Sequence, residues 1–205
     1  MIAFLHTNKA HKETFETLVR QHNATIEIKH YVNKDILDNA LLNGKTDTHQ
    51  FNKDIEEIRK DKPSLIICTC STYGAESDKH NDVFRIDKPV IEFLVTNYTK
   101  IGLVYTANST KTVSEDLMLH IATKKDTPIE VVSCDCSEYW SFFEAGDFKN
   151  YEKGIAKNIK EMAHLVDVFF LAQASMAGAT KHLSMLDKEV FTSPEFGIKA
   201  LLKNI

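Results

Sequence analysis

The sequence predicts an α/β protein of two lobes, each a parallel sheet flanked by helices, with a cleft between them. Three observations carry that expectation. Short apolar runs alternate with stretches of helical period, the order that builds parallel sheets covered on both faces. The alternation restarts near residue 96 without a Gly/Ser/Pro-rich linker, so the 205 residues divide into two units of roughly 100 residues that must pack together. Finally, the segments after the expected strands are made of hydroxyls, amides or a thiol, and open α/β sheets hold ligands beyond the carboxyl ends of their strands.

The elements follow in order. Ile2 to His6 is a buried strand, and Phe15, Leu18 and Val19 form the inward stripe of the next helix. Ile26, Ile28, His30 and Val32 alternate at period two, as a strand does. Ile36, Leu37 and Leu41 mark one short helix and Phe51, Ile55 and Ile58 another, ending near Lys62-Pro63, before a strand from Ser64 to Thr69. In the second unit, Ile101 to Tyr105 is a strand and Ser109 to Ile121 a helix with Val113, Met118 and Ile121 inward. Pro128 to Ser133 is a strand, Tyr151 to Leu165 a helix and Val166 to Leu171 a strand; Glu189 to Thr192 leads into a last helix from Pro194.

Composition narrows the function. The net charge is −4 and basic residues are interspersed with acidic ones, so no stripe suited to nucleic acid is present. The longest mostly apolar window, Val166 to Ala179, is broken by Asp167, Gln173 and Ser175 and is shorter than the about 20 residues a bilayer needs, which predicts no membrane partner. The start of the chain lacks the features of a signal peptide, and four cysteines without secretory features read as reduced thiols in the cytoplasm.

The strand-end segments are His6-Thr7-Asn8, Cys70-Ser71-Thr72, Thr106 to Thr110, Gln173-Ala174-Ser175 and Ser193. Hydroxyls and backbone N–H groups at helix starts suit a carboxylate. Of the cysteines, Cys70 stands at a strand end before Ser71-Thr72, where a helix N-terminus lowers a thiol's pKa, whereas Cys68, Cys134 and Cys136 read as core. A Cys₄ zinc site from Cys68-x-Cys70 and Cys134-x-Cys136 is the minor alternative, against the usual spacing. His11, His22, His49, His120 and His164 fall among charged residues on helices and read as solvated. Arg85 and Asp87 read as a structural pair that caps an element or bridges to a neighbouring subunit; a homodimer is carried as an open expectation.

Taken in order, IAFLHTN, CTCSTYG, VFRIDKPV, the AGD at Ala145 to Asp147, VDVFFLAQASMAGA and VFTSPEFG resemble the aspartate/glutamate/hydantoin racemase superfamily over nearly the whole chain. The resemblance implies two pseudo-symmetric lobes, residues 1–95 plus 183–205 and residues 96–182, and an active site in the cleft. It implies an isomerase that needs neither cofactor nor metal, racemising an amino acid or related small carboxylate with two cysteines that work from opposite faces of the α-carbon. The first motif falls on Cys70-Ser71-Thr72, which makes Cys70 the base or nucleophile. The second falls on Leu171-Ala172-Gln173-Ala174, so Gln173 stands where the second cysteine belongs, and an amide cannot do a thiol's proton transfer. Three outcomes remain open: one-thiol chemistry such as isomerisation, decarboxylation or lyase elimination; a second acid, His6 or Tyr73; or a non-catalytic carboxylate-binding protein. Asn8, Ser71, Thr72, Thr106, Ser109, Gln173 and Ser175 are the expected carboxylate contacts.

Overall fold

A computed structural model describes residues 1–203. The first half of the chain forms β1 (Ile2–His6), α1 (His11–His22), β2 (Ile28–Val32), α2 (Lys34–Asn43), α3 (Thr48–Arg59), β3 (Leu65–Cys68), the short α4 (Gly74–Ser77) and β4 (Val83–Arg85). Then come α5 (Lys88–Asn97), β5 (Lys100–Tyr105), α6 (Asn108–Lys125), β6 (Glu130–Asp135), α7 (Trp140–Glu144), α8 (Phe148–Met162), β7 (Val168–Leu171), β8 (Glu189–Thr192) and α9 (Ser193–Leu201). The strands build two parallel sheets, ordered β2-β1-β3-β4 and β6-β5-β7-β8. The second order repeats the first with every strand advanced by four.

Burial on both faces explains why the central strands are continuously apolar. In β1, Ile2 and Phe4 face Phe15 and Val19 of α1, while Ala3 and Leu5 face Ile36 of α2 and Phe51, Ile55 and Ile58 of α3. In β7, Val168 and Phe170 pack with α5 and α6, while Phe169 and Leu171 pack with Tyr151, Ile155 and Ile159 of α8. Val113, expected inward on α6, is only half-buried; Ser114, Leu117 and Met118 take that face.

Two elements differ from the expected lobe boundaries. The charged run before Pro89 opens a helix, α5, in whose first turn the N–H that proline lacks would have no intrahelical acceptor. Its Val90, Ile91, Leu94 and Val95 join the core of the second sheet, so the crossover lies near Ile86. The C-terminal segment also divides. β8 pairs with β7 and belongs to the second sheet, whereas Ile198 and Leu202 of the last helix and its end pack into the first-lobe core beside Phe4 and Phe15. The last two residues of the expected 183–205 segment lie outside the described residues.

Arg85 and Asp87 form a pair internal to the chain, 3% and 0% exposed, with Arg85 Nε and Nη2 donating to the two Asp87 carboxylate oxygens at 2.7 and 2.8 Å. The guanidinium lies directly under Gly74, where a Cβ would meet Arg85 Cζ at 2.3 Å. Glycine is thus required by close approach, and the pair holds the CTCSTYG turn from behind.

Candidate functional site

The registers bring the ends of paired strands level. Leu5 pairs with Cys68, so the segments after β1 and β3 lie side by side. Val104 pairs with Leu171, which does the same for Thr106 and Gln173. Between the two sheets lies a cavity of about 230 Å³. The first lobe lines it with Thr7, Asn8, His11, Thr69, Cys70, Ser71 and Thr72, and the second with Ala107, Thr110, Gln173, Ala174 and Ser175. Helix α2 adds Lys34, Leu37, Asp38 and Leu41, and α7 adds Trp140, Phe143 and Glu144.

Of the expected site residues, Asn8, Cys70, Ser71, Thr72, Gln173 and Ser175 line this cavity. Thr106 and Ser109 do not; they act one layer back. Asn8 Oδ1 accepts from the Ala10 N–H at 2.9 Å, which holds the turn into α1. Ser71 and Thr72 are committed elsewhere than a free carboxylate site. Ser71 Oγ donates to the Ala172 carbonyl in the opposite lobe at 2.6 Å, and Thr72 Oγ1 lies 3.1 Å from Ser109 Oγ of α6. These hydroxyls stitch the two lobes together across the floor of the cleft.

Cys70 is 9% exposed. The turn that follows it is a three-residue 3-10 segment, Ser71–Tyr73, and the four-residue α4, so little helix dipole acts on the sulfur. Burial pushes its thiol above the ordinary value, opposed by the Thr7 hydroxyl and the N–H groups of Tyr73 and Thr72. The expectation of a depressed thiol pKa is therefore corrected: desolvation outweighs the donors, and the resting group is S–H. Cys68 is core, its thiol pushed up to about 12 by burial. Cys134 and Cys136 sit in the second-lobe core, the Cys136 thiol raised chiefly by its neighbour Cys134. Among the described residues no group of three or more His, Cys, Asp or Glu is placed to hold a metal ion.

Gln173 faces the thiol wall with a fixed amide. Its Oε1 accepts from the Thr106 N–H at 2.7 Å and the Thr106 hydroxyl at 2.9 Å. A backbone N–H can only donate, so the amide oxygen is held there and Nε2 is left with its two donors for the cleft. Ser175 Oγ lies 3.0 Å from the Tyr151 hydroxyl, whose pKa burial pushes up to about 12.

Both candidate second acids lie behind the wall. Tyr73 is fully buried, donating to the Ile36 carbonyl at 2.9 Å and accepting from the Asp47 N–H at 3.1 Å. His6 is fully buried too; its Nδ1 is 2.8 Å from Thr69 Oγ1 and its Nε2 is 2.8 Å from His30 Nδ1.

His11 is the residue sequence reasoning misplaced. It lines the cavity, both ring nitrogens are buried without a hydrogen-bond partner, and burial lowers its pKa to about 4. At neutral pH it is an uncharged donor and acceptor awaiting a ligand. Its place at the first turn after a strand end, beside Asn8, was the available signal; its charged helix neighbours pointed the other way. Helix α7 was missed as well, and with it the apolar wall of Trp140 and Phe143. At the rim, Lys34 bonds Asp38, which raises the lysine's pKa, and Glu144 from the opposite lobe adds its attraction.

No family model matches the sequence, and no curated protein matches it. Solved structures do. Aspartate racemase from Picrophilus torridus superposes with a TM-score of 0.76 at 16% identity, covering 98% of this chain and 92% of that one. Glutamate racemase from Francisella tularensis, in complex with D-glutamate, gives 0.73 at 16% identity, covering 98% and 79%. Allantoin racemase from Pseudomonas fluorescens gives 0.61 at 12% identity, covering 98% and 89%. The fold of this chain is that of the glutamate, aspartate and allantoin racemases.

Proposed function

We propose that this protein is a racemase- or isomerase-like enzyme that works without a cofactor at the carbon next to a small substrate's carboxylate. The observation that carries the reading is Cys70 opposite Gln173 in the interlobe cavity: one group that can transfer a proton, one fixed pair of N–H donors. Removing a proton beside a carboxylate builds charge on the carboxylate oxygens, and donors already aimed there stabilise it. Gln173 Nε2 and His11 supply such donors. Because Cys70 rests as a thiol, it must first pass its proton out of the cleft; the thiolate then takes the α-proton and returns it to the same face.

The lining narrows the substrate class. Leu37, Leu41, Trp140 and Phe143 form an apolar wall, and at the rim Lys34 pairs with Asp38 while Glu144 leaves one net negative charge. Both favour a substrate whose substituent is uncharged and largely apolar over one with an acidic side chain. The neighbours named for amino acids, one with D-glutamate bound, support the small-carboxylate part of the reading. Four unpaired thiols fit a reducing, cytoplasmic setting.

Incubation of apolar and acidic amino acids in deuterated water tests the reading. Deuterium entering the α-carbon of apolar members with retained configuration is expected, and no exchange in any of them would sink it. A second reading rests on the raised Cys70 pKa. A thiol that stays protonated suits a one-thiol decarboxylase, in which the bond to CO₂ breaks, the electron pair stays on the α-carbon and the S–H protonates it. Release of CO₂ from a 2-substituted malonate, without α-exchange of the monoacid, would select that reading.

A further inference from the structure

Thr69, which lines the cavity next to Cys70, begins a chain of hydrogen bonds that ends at the surface. Thr69 Oγ1 is 2.8 Å from His6 Nδ1, His6 Nε2 is 2.8 Å from His30 Nδ1, and His30 Nε2 is 2.9 Å from Glu16 Oε2. Glu16 is 39% exposed, whereas the His30 side chain is 9% exposed and His6 is fully buried. Phe4 stacks on both imidazoles and Phe15 packs against His6, so the rings are held in line.

We propose that Thr69, His6, His30 and Glu16 form a relay that carries a cleft proton to and from solvent. This rests on the proton-transfer role given to Cys70. Two proton arrangements satisfy every link. In the first, the Thr69 hydroxyl donates to His6 Nδ1, His6 Nε2–H donates to His30 Nδ1, and His30 Nε2–H donates to Glu16. A proton arriving from the cleft at Thr69 Oγ1 displaces the hydroxyl proton onto His6 Nδ1. The His6 Nε2 proton then moves to His30 Nδ1. In the resulting arrangement His30 is an imidazolium against the Glu16 carboxylate, His6 is neutral with its tautomer switched, and the Thr69 hydroxyl turns to the Leu5 carbonyl, 3.3 Å away. One proton has moved from the cleft to His30 and none has been created or lost; passing the Nε2 proton on to Glu16 releases it to solvent, and the reverse sequence delivers one.

The surroundings disfavour charge at His6. Burial, with repulsion from His30, His11 and Lys12, lowers the His6 pKa to about 3, so the ring passes a proton on without keeping it. Glu16 is held below the usual carboxylate range by the His30 hydrogen bond and by Arg20, so a carboxylate waits at the outer end. His11 and Lys12 near His6 and Arg20 near Glu16, all from α1, are the charged or titratable groups that face the chain.

Nitrogen-15 NMR of histidine-labelled protein reads the relay without any substrate. As the pH is lowered, His6 should stay neutral while its proton moves from Nε2 to Nδ1. E16Q, which removes the carboxylate at the exposed end of the chain, should weaken that tautomer switch. With an α-deuterated substrate, H30Q should wash deuterium out to solvent at least about tenfold more slowly than the parent and return it to the same carbon instead. A His6 tautomer that stays fixed as the pH is lowered, or a washout rate unchanged in H30Q, overturns the relay. Absence of α-exchange in the parent, with the tautomer switch present, overturns the proposed function and leaves the relay supported.

Discussion

At the residue scale, the decisive contrast is between Cys70 and the amide it faces. Cys70→Ser should cut α-exchange by at least about 100-fold, the ordinary worth of a positioned acid or base, while the folded structure is kept. Gln173→Cys puts a second thiol where the racemase pattern has one, and is expected to convert exchange with retention into exchange with inversion, read by chiral chromatography. Because burial raises the Cys70 pKa, iodoacetamide labelling of the ligand-free protein should stay slow through pH 8.5, where an ordinary thiol is about half ionised. Cys70 could be picked from the sequence because a strand end and a following Ser-Thr are local facts. Whether its thiol is raised or lowered could not, since that depends on how closely the second lobe seals it. His11 escaped for the same reason: the burial of its ring is set by the cavity, not by its helix.

At the scale of elements, the strands were legible because burial on two faces writes continuous apolar runs. Strand β4 was not: it has three residues, and its central Phe84 is exposed. Helix α5 hid behind a charged run, although Pro89 followed by Val90, Ile91, Leu94 and Val95 is a proline start and an apolar stripe. The buried Arg85–Asp87 pair that precedes it has a calculable consequence. Arg85→Met leaves the Asp87 carboxylate buried without its partner, and should cost about 3–5 kcal/mol in urea unfolding. Phe170→Ala, in the fully buried centre of β7, should cost about the same by opening a cavity in the second core.

At the scale of the whole molecule, the lobes are joined by hydroxyls that the sequence marked as substrate contacts. Nothing in a residue's identity says whether its hydroxyl will meet a ligand or a carbonyl a hundred residues away. Stability should also depend on pH through buried His6 and through His11, whose ring nitrogens are buried. His6 and His11 bind protons less readily folded than unfolded, with folded values of about 3 and about 4 against 6.5. The unfolded chain therefore holds more protons between these limits, so the stability they contribute above about pH 6.5 is lost as the pH falls toward 4 and below. Thermal unfolding from pH 7 to pH 4 should show the Tm falling, and His11→Asn, which does not titrate, should flatten part of that fall.

The chain passes from one lobe to the other at Ile86 and again along α9, and these two passages touch. A Cβ on Gly197 would lie 2.2 Å from the Ile86 carbonyl oxygen. Two strips of backbone are pressed together at one edge, so the lobes are joined twice at the same place. Gly197→Ala has no room for its methyl group, so it must push these two passages apart at a point remote from every cleft side chain.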